Sequence, residues 1–184
     1  MKAMKVILIA ALILIALGVI VYAYYGGFYK VKFQVAEQGG ETLIYEEMVG
    51  DYQQSPVVMD RIYRSLLNNE KIETFKGFGI YYDNPQKVEK SKLRSEVGCI
   101  LEDRDISKIN DLKQKYKIKT YPKGQYIIAE FPYKGKLSVV VGVMKVYPEM
   151  NKFIKEKGYS EQGAVMEIYD TPSKKIVYRK EIVK

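Results

Sequence analysis

Histidine and tryptophan are absent from this chain of 184 residues, and cysteine occurs once. Without histidine the chain lacks the commonest general base, the usual partner of a nucleophile and the commonest nitrogen ligand for a metal. A single cysteine excludes an internal disulfide and a thiolate zinc cluster. Cys99 lies in the apolar run Val97-Gly98-Cys99-Ile100-Leu101 and reads as a small buried hydrophobe. The glycines at 39, 40, 77 and 79 do not form a phosphate-binding loop. Glu46 and Glu47 are adjacent, and neighbours on a strand face opposite sides, so they do not form an acid pair. No catalytic residue, metal or cofactor is expected.

What is present is a basic, tyrosine-rich chain. The net charge is +8, with 30 basic and 22 acidic residues. The lysines are spread out, with mild clusters at 113–119 and 174–184 and no basic helix interleaved with stacking aromatics. That pattern suits a solvated or membrane-proximal face rather than a nucleic-acid site. Tyr occurs 17 times against six Phe. Tyrosine combines an apolar ring with a polar tip, which suits strands, half-wet surfaces and ligand cavities alike.

Residues 6–25, VILIAALILIALGVIVYAYY, carry no charge. Twenty helical residues at about 1.5 Å each span a hydrocarbon core of about 30 Å. Tyr22, Tyr24 and Tyr25 fall where an aromatic belt would sit, and Gly26-Gly27 ends the helix. A cleaved signal peptide would have a shorter apolar core and small residues at its exit. Residues 1–27 therefore read as a single-pass anchor whose partner is the lipid bilayer. Lys2 and Lys5 face Lys30 and Lys32 across the span, a slight bias towards a cytoplasmic N-terminus that leaves the side of the soluble domain open.

The remainder, 28–184, reads as one α+β domain. Strands are expected at 28–36, 42–49, 77–82, 97–101, 125–131, 164–169 and 176–183, with an edge strand at 117–122. Ser55-Pro56 opens a helix to about Leu67, with Ser55 as N-cap, and Val58, Ile62 and Leu66 at helical spacing. A brief helix is expected over 107–116. A longer one runs from Leu137 to about Lys157, and Gly158 is suited to follow its end. The order strand–helix–strand–strand thus occurs twice, over about 41–102 and 124–184, joined by a connector at 103–123. Tyr82-Asp83-Asn84-Pro85 echoes Tyr169-Asp170-Thr171-Pro172. A seam between two such units is a natural central groove.

The stretch GFGIYYDNPQKVEKSKLRSEVGCIL at 77–101 resembles the GyrI-like (gyrase-inhibitor-like) domain family. AEFPYKGKLS, the long helix and Met166-Glu167-Ile168-Tyr169 agree with it. Within that family, YYDNP, VGCIL, FPYKGKLS, VYPEMNKFIKEKG and MEIYD resemble in order the single-pass, testis-expressed ER-phagy receptors of animals. The acidic tail of those receptors is not among the 184 residues, so their receptor activity is not expected to carry over. The family resemblance implies two repeats around a groove for hydrophobic, often cationic, small molecules, with an acid at Glu167 and Tyr169 beside it.

On its residues alone Glu167 has two readings. It faces a groove, where a buried carboxylate is used or neutralised, or it lies in water on a half-exposed strand. Tyr52, Tyr81, Tyr133 and Tyr147 are candidate groove residues from their places at element ends, and Glu130 is a second candidate acid. The expected function is a non-enzymatic membrane-anchored binding module for a hydrophobic or cationic small molecule. The alternatives are an adaptor that recruits a protein partner with a vestigial groove, and a hydrolase using Glu167 as general acid or base.

Overall fold

The computed structural model describes residues 2–183; Met1 and Lys184, the outermost residues of the expected anchor and domain, lie outside them. Helix α1 (Lys2–Tyr24) is followed by β1 (Phe33–Gln38), β2 (Thr42–Val49), α2 (Ser55–Asn69), β3 (Lys76–Tyr81) and β4 (Arg94–Leu101). Then come a short α3 (Ile109–Leu112), β5 (Lys117–Thr120), β6 (Gly124–Pro132), α4 (Lys136–Glu156), β7 (Val165–Asp170) and β8 (Lys175–Glu181). The alternating pattern expected to start a strand at residue 28 becomes β1 only at Phe33, because the chain first turns off α1: Tyr29 N–H donates to the Gly26 carbonyl at 2.9 Å.

The eight strands form one antiparallel sheet in the order β1-β6-β8-β7-β3-β4-β2-β5. The order is that of two strand–helix–strand–strand units, β2-α2-β3-β4 and β6-α4-β7-β8, joined through the β3–β7 pair. The Tyr-Asp-x-Pro echo marks equivalent corners. Asp83 accepts from the Arg94 backbone N–H at 2.8 Å, and Asp170 accepts from the Ser173 N–H at 2.9 Å.

Link lengths shape this sheet. Strands β1 and β2 lie six places apart but are joined by Gly39, Gly40 and Glu41 alone; β5 and β6, also six places apart, are joined by Tyr121, Pro122 and Lys123. Six flat steps at about 4.8 Å cover about 29 Å, whereas three linking residues reach at most about 14 Å. The sheet must therefore curl until its ends meet. The two links run side by side, with Gly40 N–H donating to the Tyr121 carbonyl and Tyr121 N–H to the Glu41 carbonyl, both at 2.8 Å.

Curling buries both faces. On one, Leu43, Phe78, Ile80, Ile100, Tyr126, Ile128, Met166 and Ile168 form a core closed by Tyr121. The other is covered by helices. Val58, Ile62 and Leu66 of α2 pack on Ile44, Val97 and Cys99, and Val146, Met150 and Ile154 of α4 pack on Ile127, Phe131 and Tyr178. Ser55, expected as an N-cap, is instead the first helical residue and is buried; Asp51 caps the preceding turn by accepting from Gln53 N–H at 3.1 Å.

Helix α1 is long and apolar enough over Ala3–Tyr24 to cross a membrane, and none of that span is buried in the domain. Its end is held against the domain. Gly26 adopts a φ of +92°, and a Cβ there would stand 2.7 Å from the Phe131 ring. Lys145 Nζ donates to the Gly27 carbonyl at 2.6 Å, and Lys134 Nζ lies 4.5 Å from the centre of the Tyr24 ring.

Gly98 tests how tightly the curled strands pair, because a Cβ there would lie 1.9 Å from the Ile44 carbonyl oxygen on β2. A backbone atom of a paired strand cannot retreat without breaking the ladder. Gly98→Ala should destabilise the domain by about 2–3 kcal/mol, read by urea unfolding followed by tyrosine fluorescence.

Candidate functional site

On the helix-covered face, the β3–β7 pair runs through the seam between α2 and α4. Alternation turns Gly77, Gly79 and Tyr81 of β3, and Val165, Glu167 and Tyr169 of β7, towards the helices. Glu167 lies opposite Gly79 on one side and Tyr178 on the other, and is 3% exposed. The reading of this carboxylate as a solvated strand residue is thus excluded by its burial.

Two phenols hold it. Tyr147 of α4 donates to Glu167 Oε1 at 2.7 Å, and Tyr169, two residues along β7, donates to Oε2 at 2.5 Å. Burial raises the Glu167 pKa above the usual carboxylate value, while the bonds from Tyr169 and Tyr147 pull against that shift. Burial, reinforced by the nearby carboxylate, pushes the Tyr147 and Tyr169 phenols well above the ordinary tyrosine value. Tyr81 is also raised, by burial first and by Glu167 second.

The residues expected at the site do not all reach it. Tyr81 crosses the floor of the seam: a Cβ on Gly79 would meet its hydroxyl at 2.5 Å. Tyr52 stands one shell out, its ring 4.7 Å from that of Tyr81; its hydroxyl accepts from the Asp83 N–H at 3.0 Å and lies 3.0 Å from the Arg94 carbonyl. Tyr133 lies at the rim, 6.1 Å from Tyr169 between ring centres. Glu130 is not a groove residue. Ile127, Ala129 and Phe131 of β6 face α4, so Glu130 faces the other way, is exposed, and pairs with Lys175 at 2.6 Å.

Sequence reasoning missed Tyr178 and Met59. Tyr178 is fully buried beneath α4, and its ring meets that of Tyr147 edge to face at 6.0 Å. Gly142 makes room for it: a Cβ there would lie 2.6 Å from the Tyr178 hydroxyl. Met59 of α2 fills the space over Gly77. The period-2 register across β7 and β8 would locate Tyr178 opposite Glu167 once the pairing was known. Two surface hollows, one beside Phe75 and Arg104 and one beside Tyr45 and Lys117, include none of these residues.

A model of the GyrI-like small molecule binding domain matches residues 33–181. The chain belongs to that family. The GyrI-like domain also has curated relatives: testis-expressed protein 264 of Homo sapiens is 34% identical over 88 residues, which is 45% of this chain and 28% of that protein. The Mus musculus homolog is 33% identical over 88 residues, again 28% of its length, so the match spans under a third of either relative. Among solved structures, the EcmrR C-terminal domain superposes with a TM-score of 0.57 at 8% identity, covering 84% of this chain and 98% of that one. EcmrR in its complex with DNA gives 0.56 at 12% identity, covering 90% and 63%. At such identities the GyrI-like fold is what is shared.

A raised Glu167 pKa has a definite sign. The protonated form favours the folded state, so that contribution is complete below the unfolded value of about 4.5 and is lost as pH rises through the raised folded value. Glu167→Gln, neutral at every pH, should therefore gain stability over the parent progressively as pH rises from about 4.5 through the raised folded value in urea unfolding. A constant difference across that range would show that Glu167 ionises without penalty.

Proposed function

We propose that this GyrI-like domain is a membrane-anchored, non-enzymatic binding module that takes a hydrophobic cation at the seam between α2 and α4. Glu167 carries the reading. It is a buried carboxylate whose pKa is governed by desolvation and two phenols rather than by a neighbouring cation. Such an acid, bonded by the hydroxyls of Tyr147 and Tyr169, would offer a guest cation an opposite charge with aromatic rings close by. An apolar guest body would replace Met59 and Tyr81 in the seam. The anchor reading rests on α1, whose exit is tied to the domain by Lys145 and Lys134.

Binding is favoured over turnover because both carboxylate oxygens are engaged by phenols that are poorer acids than free tyrosine. That arrangement occupies both oxygens rather than leaving one free to relay a proton. A hydrolase with Glu167 as general acid or base would need one of these bonds to break before reaction.

A specific observation favours a second reading. Tyr81 over Gly79 and Met59 over Gly77 fill the seam with the domain's own side chains. In that case the groove is vestigial and the protein is an adaptor whose outer surface recruits a protein partner to the membrane.

Rhodamine 6G, a fluorescent hydrophobic cation, separates the two in polarisation titrations of residues 28–184. The expected result is saturable binding that Glu167→Gln weakens at least about ten-fold, or about 1.4 kcal/mol. Binding should also weaken as pH falls through the raised Glu167 pKa, because the proton competes with the cation. Equal dye binding by both proteins, or by neither, would leave the adaptor reading in place.

A further inference from the structure

Helix α4 is apolar on two sides over its first half. The stripe Ser138, Gly142, Val146, Met150 and Ile154 is buried against the sheet, as an amphipathic helix requires. Yet Leu137, Val140 and Met144, spaced three and four residues apart on one outward face, are 51%, 55% and 71% exposed. Val143 beside them is 40% exposed. Beyond Pro148 the outer surface changes character: Glu149, Asn151, Lys152, Lys155 and Glu156 are exposed there. Nothing in the fold of the domain explains why the first half of an outer helix face should be apolar and the second half polar.

The position of the stripe explains it. The apolar half of α4 is the half tied to the exit of α1. Lys134, just before the helix, lies over Tyr24, and Lys145 donates to the Gly27 carbonyl. The exposed face is therefore bracketed by two contacts to the last residues of the hydrophobic span. Along the chain around it Lys30, Lys32, Lys134 and Lys136 are exposed and no acidic residue occurs from 131 to 148, while exposed Glu130 is paired with Lys175. Phe28, 67% exposed, extends the apolar surface at the exit itself.

We propose that the first half of α4 is a second membrane contact, seated in the interfacial layer of the bilayer that α1 spans, with Leu137, Val140 and Met144 among the acyl chains and the surrounding lysines against anionic headgroups. This rests on the reading of α1 as an anchor. Interfacial helices of this kind bury an apolar face to a depth of about 5–10 Å and draw further on lysine attraction to anionic lipid. The domain then lies against the membrane instead of swinging on a flexible stalk, and one side of the Glu167 seam is built from a helix in contact with lipid.

The test uses the full chain reconstituted in vesicles of phosphatidylcholine and phosphatidylglycerol. Single cysteines replace Val140, Met144 or, in the anchor, Ile13, and each carries an environment-sensitive nitrobenzoxadiazole label; Cys99, 2% exposed, stays out of reach of the reagent. Labels at 140 and 144 should be quenched by nitroxide-bearing lipid, and their quenching by aqueous iodide should be at least about three-fold below that of free dye, as for a side chain in the interface. If the Ile13 label is quenched by lipid while those at 140 and 144 remain open to iodide, the second contact is wrong and the anchor stands. If the Ile13 label is open to iodide, the anchor reading itself fails and this inference falls with it. Labels at 140 and 144 shielded from both quenchers would mean that protein, a second copy or another chain, covers the stripe, which also overturns the proposal.

Discussion

Two links of three residues impose the shape on which everything else in the domain depends. Strands six places apart in the ladder can be joined so briefly only if the sheet bends back until its ends touch. Bending gives the sheet an inner face sealed by its own side chains and by Tyr121. That leaves one face for the helices, and α2 and α4 must share it. Their sheet-facing stripes each cover one strand–helix–strand–strand unit, and the β3–β7 pair between them is the line along which neither helix sits fully. The seam that holds Glu167 is thus a geometric remainder of closing an eight-stranded sheet with two helices.

What occupies that remainder is a contest of comparable energies. Taking a carboxylate out of water costs several kcal/mol. A hydrogen bond to a charged group returns about 1.5–3 kcal/mol, and Glu167 receives two. The balance is close, and burial moves the Glu167 pKa upward against the pull of both bonds. Glycine at 77 and 79 is part of the same economy of space, because Met59 and Tyr81 occupy the volume that side chains would take. Gly142 does likewise for Tyr178 under α4.

Much of this was legible from residues alone, and the failures have physical causes. The charge-free run ending in tyrosines, the helical spacing of Val58, Ile62 and Leu66, and the glycine after α4 each express a local rule that the fold respects; Gly158 does follow the helix, with a φ of +70°. The two-unit order was read from the recurring strand–helix–strand–strand succession, with the Tyr-Asp-x-Pro echo in support. Alternation, in contrast, says that neighbours face opposite ways but not which way is inward, and so Glu130 stood as a second candidate acid beside Glu167 until β6 was seen to turn Ala129 and Phe131 towards α4. Ser55 has the chemistry of a cap, but the turn Tyr52–Gln54, capped by Asp51 four residues earlier, carries Ser55 into the helix. Tyr178 was invisible because its importance lies in a cross-strand register, a property of pairing rather than of sequence order.

Lys145 and Tyr147 stand two residues apart on α4, one bonded to the carbonyl at the exit of α1 and the other to the buried carboxylate. Both lie in the single turn that precedes Pro148 in this 21-residue helix. Rolling that turn to unseat the phenol drags the lysine as well, since two residues subtend about 200° of one turn. The buried carboxylate and the exit of α1 are therefore held by the same turn of one helix, so a displacement of that turn reaches both.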